Sequence, residues 1–215
     1  MLNKYDLVLF DLDGTVADSD EMIVQSMYVL YDKYRNGVRT PREKIYYFSG
    51  PPIRETLKKE FPDMDNDFMF NEFVRVSWDL YDKYVVPFPH TIEMMEYLIN
   101  RDVKVGIVTG KARESTKHCL DVLGLTNIVQ YVVTPDDVTN LKPHPEGIFK
   151  SMEHFSIKEK KKVLYIGDNK SDYLTAKNAG VDIALVKWGP RKIDEDVKPD
   201  YWINDFLEME DIING

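Results

Sequence analysis

The hydrophobic pattern of this chain alternates between two periods. Short apolar runs predict buried strands, and longer segments with apolar residues three and four positions apart predict helices. Strands alternating with helices predict an α/β fold, a doubly wound parallel sheet with right-handed crossovers. The strands are predicted at residues 7–10, 103–108, 128–133, 163–166, 181–186 and 201–203.

The segment 16–86 interrupts this alternation, because its pattern predicts helices and no strand. The first helix has a capping-box start at Asp18 and a stop at Gly37. We therefore predict an α/β core of residues 1–15 and 87–215 with an inserted all-helical cap domain of residues 16–86. The other cap helices are predicted at 41–48, 53–61 and 68–84.

Composition narrows the class of protein. With 215 residues, of which 43% are hydrophobic, the chain is able to bury a core. Its formal charge of −9 argues against a nucleic-acid partner. We find no apolar run of membrane-spanning length and no basic-then-apolar signal at the N-terminus, so we expect a cytoplasmic protein without a membrane partner, a monomer or homodimer. The single cysteine, Cys119, is predicted to be a buried structural thiol.

Two aspartates follow the first predicted strand. Asp11 and Asp13 lie in the sequence Asp-Leu-Asp-Gly-Thr, directly after the run 7–10. Ligands bind at the carboxyl ends of strands in open α/β sheets. One carboxylate as nucleophile and the other as proton donor would suit phosphoryl transfer. The alternative is an Asp-Gly turn that only closes the strand.

Polar residues occur in three later segments as well. Thr109 follows the strand 103–108, where its hydroxyl is suited to hold a phosphoryl oxygen or to cap the next helix. Lys142 precedes Pro-His-Pro in a stiff loop; a solvated lysine is the alternative. Asp168 and Asp172 follow the fourth predicted strand. An acid directly after a buried strand is costly unless it is paired or binds a metal, and helix capping is the alternative for Asp168.

In this order, the four segments resemble the motifs of the haloacid dehalogenase (HAD) superfamily of phosphatases. The resemblance covers residues 1–15 and about 87–215 by motif and the cap more loosely, and it is nearest to phosphoglycolate-phosphatase-like members with a helical cap. Gly110 departs from the second motif, which often has asparagine there. The resemblance implies a HAD-like Rossmannoid core and a Mg²⁺-dependent phosphatase acting on a small phosphorylated metabolite.

The catalytic roles follow from this resemblance. Asp11 would attack phosphorus to give an aspartyl-phosphate, and Asp13 would protonate the leaving oxygen and then activate water. Thr109 would hold a phosphoryl oxygen, and Lys142 would neutralise the nucleophile and the phosphoryl group.

The binding roles are also implied by the resemblance. Mg²⁺ would be held by Asp11, Asp168 and the main-chain carbonyl of Asp13, with Asp172 as a further ligand or as support behind them. The remaining predicted substrate-binding residues lie in the loops after the strands: Gly14, Thr15 and Gly110.

The cap segment 50–55, Gly-Pro-Pro-Ile-Arg-Glu, resembles the specificity segment of phosphoglycolate-phosphatase-like members. Arg54 would meet a carboxylate or a second phosphate of the substrate, although a solvated cation is the alternative. His90 stands where the family commonly has glycine, so it marks a different linker or a contribution to the site.

Other functions remain open at this point. A pyrophosphatase or a β-phosphoglucomutase-like phosphotransferase would share the core motifs. A catalytically silent phosphate-binding protein would be expected to have lost one of the residues Asp11, Asp13, Lys142 and Asp168, and all four are present.

Overall fold

A computed structural model describes residues 3–49 and 51–215, so Gly50 of the predicted specificity segment lies outside the described residues. The strands are β1 Leu7–Phe10, β2 Ala17–Asp18, β3 Val86–Pro87, β4 Lys104–Val108, β5 Tyr131–Val133, β6 Val163–Gly167, β7 Asp182–Val186 and β8 Tyr201–Ile203. Six of them form one parallel sheet in the order β5-β4-β1-β6-β7-β8. This confirms the predicted parallel α/β fold.

Helices occupy most of the connections between the strands. Short 3₁₀ turns at Tyr46–Phe48, Pro135–Asp137, Lys160–Lys162 and Phe206–Glu208 supplement them. The helices are α1 Asp20–Tyr34, α2 Arg42–Ile45, α3 Ile53–Glu60, α4 Asn66–Trp78, α5 Tyr81–Tyr84, α6 Thr91–Asn100, α7 Arg113–Val122, α8 Glu146–His154, α9 Lys170–Ala179 and α10 Met209–Asn214.

The sheet is covered on both faces. Successive side chains of a strand point to opposite faces, so Val8 and Phe10 of β1 belong to one buried cluster and Leu7 and Leu9 to the other. The first cluster takes in buried residues of α6, α7 and α10, and the second those of α8 and α9. This arrangement confirms the doubly wound architecture, and it explains why the strands are continuous apolar runs.

The prediction that residues 16–86 contain no strand was wrong. Strands β2 and β3 pair in an antiparallel ladder, with Ala17 opposite Pro87 and Asp18 opposite Val86. Asp18 therefore does not cap a helix, and α1 begins at Asp20 after Ser19. The ladder pairs the two segments that connect the sheet to helices α1–α5. The sequence pattern missed both strands because two residues are too few to show a period.

The predicted helix over 68–84 is two helices, α4 and α5. The Ser77 hydroxyl donates a hydrogen bond of 3.0 Å to the carbonyl of Val74 near the end of α4. Such side-chain bonds compete with the helical hydrogen bonds of the main chain. Within the residues that the structure describes, no helix combines the length and apolar character needed to cross a bilayer.

Cys119 is fully buried in α7, and burial raises the pKa of its thiol to about 12. Because the thiolate is the reactive form, we expect a maleimide reagent at about pH 8 to leave the native protein unmodified. Denaturation in guanidinium chloride serves as the control, because it should make the thiol fully reactive. Modification of the native protein within minutes would contradict the burial.

Candidate active site

The predicted site residues meet at the carboxyl edge of the sheet. Strand β1 lies between β4 and β6, so the residues that follow these strands become neighbours. Asp11, Thr109 and Asp168 are those residues, and all three side chains are buried. Their proximity follows from strand order, because parallel strands end at the same edge.

Lys142 connects the buried carboxylates. Its Nζ lies 2.8 Å from Oδ1 of Asp11 and 2.7 Å from Oδ1 of Asp172. The hydroxyl of Tyr165 on β6 lies 3.2 Å from the same Nζ and donates to the Val108 carbonyl. The lysine is thus held on three sides, and its solvated alternative is excluded because its side chain is only 9% exposed.

Asp172 supports the site from behind. Its Oδ2 accepts hydrogen bonds from the amides of Asp168, at 3.1 Å, and Asn169, at 3.3 Å. Helix capping belongs to Asn169, whose Oδ1 accepts from the amides of Ser171 and Asp172. Asp168 is therefore not the cap of α9; its carboxylate accepts hydrogen bonds from the side-chain amide of Asn169 at 2.9 Å and from Arg191 at 2.7 Å.

Burial is the main influence on the acids of this cluster. It raises the pKa of the Asp11 carboxyl above its ordinary value; Lys142 opposes this shift, and the charges of Asp172 and Asp168 add to it. Burial likewise raises the pKa of Asp168, against the effect of Arg191. Ionised carboxylates crowded in this way are stabilised by an added cation.

Three of the carboxylates are arranged to hold a metal ion. One oxygen each from Asp11, Asp168 and Asp172 lies within 4.8 Å of the others, and all three residues are buried. Carboxylate oxygens are the hard ligands that Mg²⁺ prefers. The residues present therefore fit this ion, and the side chain of Asp13 is not part of the cluster.

Asp13 instead forms a separate ion pair with Lys111. The Nζ of Lys111 lies 2.9 Å and 2.7 Å from the two carboxylate oxygens of Asp13, and the Ser19 hydroxyl donates to Oδ1 at 2.6 Å. The side chains of Asp13 and Lys111 are 13% and 10% exposed. The two aspartates of the first motif thus have different environments, as two different chemical tasks require.

Arg191 is a third buried cation. Its Nε donates to Asp168 at 2.7 Å, and its Nη1 donates to Asp20 at 2.7 Å and to the Tyr46 carbonyl at 2.9 Å. The guanidinium therefore links the loop after β7 to α1 and to the turn after α2. It also packs against Gly14, whose φ of +82° favours glycine and whose missing side chain leaves room for Arg191 and Asp168.

The residues expected to hold phosphoryl oxygens differ in whether their hydrogen-bonding groups already have a partner. The Thr109 hydroxyl faces the cavity beside Asp11 and accepts from the Lys111 amide at 3.1 Å. Gly110 lines the same cavity. The amide of Gly14 is already committed to the Ala17 carbonyl at 2.8 Å. The Thr15 hydroxyl is buried and has no hydrogen-bond partner among the described residues.

Two residues with predicted roles lie away from this cavity. Arg54 is exposed, pairs with Asp67 and stacks on the ring of Phe70 at 3.8 Å. His90 has a φ of +61°, the left-handed backbone conformation that glycine adopts readily. Its ring is turned away from the site, because its Nδ1 lies 2.8 Å from the carboxylate of Asp205.

Comparison with known proteins identifies the family. Residues 8–186 match the family described as haloacid dehalogenase-like hydrolase. The chain belongs to this family. Pyrophosphatase PpaX of Oceanobacillus iheyensis is 31% identical over 208 residues, which cover 96% of this chain and 95% of that protein. Pyrophosphatase PpaX of Bacillus cereus is 33% identical over 215 residues, 99% of this chain and 98% of that protein.

A solved structure shares the fold of this HAD hydrolase. A predicted phosphoglycolate phosphatase from Haemophilus somnus superposes with a TM-score of 0.83 at 20% identity, over 97% of this chain and 98% of that chain. Together these comparisons confirm the assignment to the phosphatase-like HAD enzymes. A catalytically silent binding protein is therefore set aside.

Sequence reasoning missed two cations of this HAD hydrolase. Lys111 stands in the strand-to-helix turn after Thr109, so its proximity to the first motif could have been found from strand order. Arg191 lies in the irregular loop after β7. Such a loop has no period, and we find no sequence signal that would have placed Arg191 beside Asp168.

Removing Lys111 should expose the cost of a buried unpaired charge. We expect Lys111→Met to lower the free energy of unfolding by about 3 kcal/mol, because Asp13 loses its only cation among the described residues. Adding Asp13→Asn should restore part of the loss. Urea unfolding measures both, with the exposed Lys158→Met as control. Wild-type stability in Lys111→Met would contradict the ion pair.

Gly167 makes room for Asp172. A Cβ at position 167 would overlap the Asp172 side chain, including Oδ2 at 2.6 Å. We expect Gly167→Ala to displace Asp172 and lower kcat/KM about 100-fold, as misplacement of a catalytic group does. Glu153→Ala, at an exposed position of α8, is the control. Full activity in Gly167→Ala would show that Asp172 need not stay in place.

Proposed function

We propose that this HAD hydrolase is a Mg²⁺-dependent phosphatase that cleaves a small phosphomonoester through an aspartyl-phosphate on Asp11. The observation that carries the proposal is the 2.8 Å contact between Asp11 and the buried Lys142 at the carboxyl edge of the sheet. A carboxylate beside a fixed ammonium is suited to approach a phosphoryl dianion, because the lysine offsets the repulsion between the two anions.

Asp13 is the proposed acid and base. The step requires Asp13 in its protonated form: as Asp11 Oδ bonds to phosphorus and the ester P–O bond breaks, the Asp13 proton moves to the leaving oxygen, and Lys111 stabilises the carboxylate that results. Asp13 then takes a proton from water, which attacks phosphorus and releases phosphate and free Asp11. Lys111 and Ser19 hold the Asp13 carboxylate in position through contacts of 2.6 to 2.9 Å.

The acidic cluster is the proposed magnesium site. Asp11, Asp168 and the main-chain carbonyl of Asp13 would hold the ion, and Asp172 serves as support because its oxygens already accept from Lys142 and two amides. The ion supplies charge neutralisation for the phosphoryl group. Thr109, Gly110 and Thr15 are the proposed contacts to the remaining oxygens.

Residues 16–86 are the proposed cap, and residues 1–15 with 87–215 the proposed core. The paired strands β2 and β3 are the crossings between them, and side chains of α1, α3, α4 and α5 border the cavity beside Asp11. A cap of this kind excludes water and selects the substrate. We further propose a cytoplasmic monomer or homodimer.

Pyrophosphatase activity is a second candidate, favoured by the names of the PpaX relatives at 31% and 33% identity. The expectation of a phosphoglycolate-like substrate came from the family resemblance and the cap segment 50–55, in which Arg54 would meet the substrate carboxylate. That arginine pairs with Asp67 outside the cavity, so it lends this substrate no support. A β-phosphoglucomutase-like phosphotransferase would use the same core residues, so an activity assay is needed to distinguish it from a phosphatase.

The nucleophile is tested by Asp11→Asn. We expect Mg²⁺-dependent phosphate release from p-nitrophenyl phosphate to fall at least about 1000-fold, because an amide does not attack phosphorus. EDTA should abolish wild-type release. The exposed Asp211→Asn is the matched control and should keep wild-type activity. Asp11→Asn with undiminished turnover would overturn the proposed mechanism.

A further inference from the structure

A cavity of about 60 Å³ lies between the site and the cap helices. Asp11, Asp13 and Thr109 border it on the core side. On the cap side it is lined mainly by apolar side chains, among them Met22, Phe48, Ile53, Phe70, Phe73 and Val74. We refer to it as the cap cavity.

The leaving group of the substrate must occupy the cap cavity. The proposed proton donor Asp13 has to reach the leaving oxygen, and Asp13 borders this cavity. A larger cleft on the other side of Ser49 borders Lys142, Asp168 and Arg191, but Asp11 and Asp13 do not line it. A leaving group in that cleft would be out of reach of Asp13.

The cap cavity offers no spare positive charge. Lys111 is the only cation lining it among the described residues, and both carboxylate oxygens of Asp13 already engage its ammonium. No charged cap residue of the described chain lines it; Arg54 pairs with Asp67 and borders a neighbouring cavity that shares Phe70 and Val74 with the cap cavity. An anionic leaving group would therefore be buried against apolar side chains without a partner, which is costly.

The wider site likewise has no cation in excess of its carboxylates. Its buried ion pairs join five carboxylates to three cations, a net charge of −2, which the proposed Mg²⁺ would offset before the phosphoryl dianion adds its own charge. The residues are Asp11, Asp13, Asp20, Asp168, Asp172, Lys111, Lys142 and Arg191. A second phosphate or a carboxylate on the substrate would add charge that no group here compensates.

One buried polar side chain of the cap, that of Ser49, lacks a hydrogen-bond partner among the described residues. Ser49 borders both the cap cavity and the larger cleft, and its residue is 6% exposed. A buried hydroxyl without a partner is unfavourable. A hydroxyl on the leaving group would satisfy it.

We propose that the substrate is a monophosphate ester of a small, uncharged alcohol that carries a further hydroxyl, in preference to pyrophosphate or a phosphorylated carboxylic acid. This inference rests on the proposed phosphatase function. The reaction breaks the ester P–O bond, forms the bond between Asp11 and phosphorus, and moves the Asp13 proton to the alkoxide. An alkoxide is a poor leaving group, so the fixed position of Asp13 suits this substrate class.

A matched pair of substrates tests the inference. 2-Hydroxyethyl phosphate and phosphoglycolate differ only in a hydroxymethyl group against a carboxylate. With Mg²⁺ present, we expect kcat/KM for 2-hydroxyethyl phosphate to exceed that for phosphoglycolate and for pyrophosphate by at least about tenfold. Ser49→Ala should reduce the preference for 2-hydroxyethyl phosphate over ethyl phosphate.

A charge introduced into the cap should reverse the preference. Val74 lines the cap cavity and is half-buried, so Val74→Lys adds an ammonium there. We expect its ratio of kcat/KM for phosphoglycolate to that for 2-hydroxyethyl phosphate to rise at least about tenfold. Val29→Lys, at an exposed cap valine that does not line the cavity, should leave this ratio unchanged.

The outcomes separate the two proposals. Faster cleavage of pyrophosphate or phosphoglycolate by the wild-type enzyme would overturn the inference and leave the phosphatase standing. Absence of Mg²⁺-dependent phosphate release from every compound would overturn the proposed function, and the inference with it. If Val74→Lys fails to fold, as judged by circular dichroism, the wild-type comparison still decides.

Discussion

The ion pair between Lys142 and Asp11 is the interaction on which the rest of the site depends. A carboxylate buried at a strand end is unfavourable without a cation, and Lys142 supplies one while also binding Asp172. Asp172 in turn accepts hydrogen bonds from the main-chain amides of Asp168 and Asn169. It therefore connects Lys142 to the loop that follows β6. The apolar sheet beneath provides the rigid base, because β1, β4 and β6 are fully paired neighbours.

Two further buried cations lie on either side of this centre, and each holds a different carboxylate of the site. Lys111 holds Asp13 on the side of the cap cavity, whereas Arg191 holds Asp168 and reaches Asp20 of α1. Each cation is already matched to carboxylates, and the five carboxylates exceed the three cations by two charges, which a divalent metal ion would offset. In the proposed function, substrate choice falls to the apolar cap side chains, which would select by shape and by the absence of charge.

The sequence predicted the parts of this arrangement that depend on periodicity and strand order. Apolar runs located the six strands of the sheet, and polar residues directly after them, such as Asp11 and Asp168, became neighbours as parallel topology requires. It could not predict β2 and β3, which are too short to show a period, or Arg191, whose loop has none. The expected role of Arg54 came from resemblance; its pairing with Asp67 depends on how α3 packs on α4, which local sequence does not encode.

The central claim is that Asp11 becomes phosphorylated during turnover. Acid quenching of the enzyme within the first turnovers on a substrate that it cleaves, followed by proteolysis and mass spectrometry, tests it most directly. We expect a phosphorylated peptide with the modification on Asp11, absent when EDTA is present. Phosphate release without any phosphorylated Asp11 peptide, in a quench fast enough to resolve single turnovers, would contradict it and favour direct attack by water.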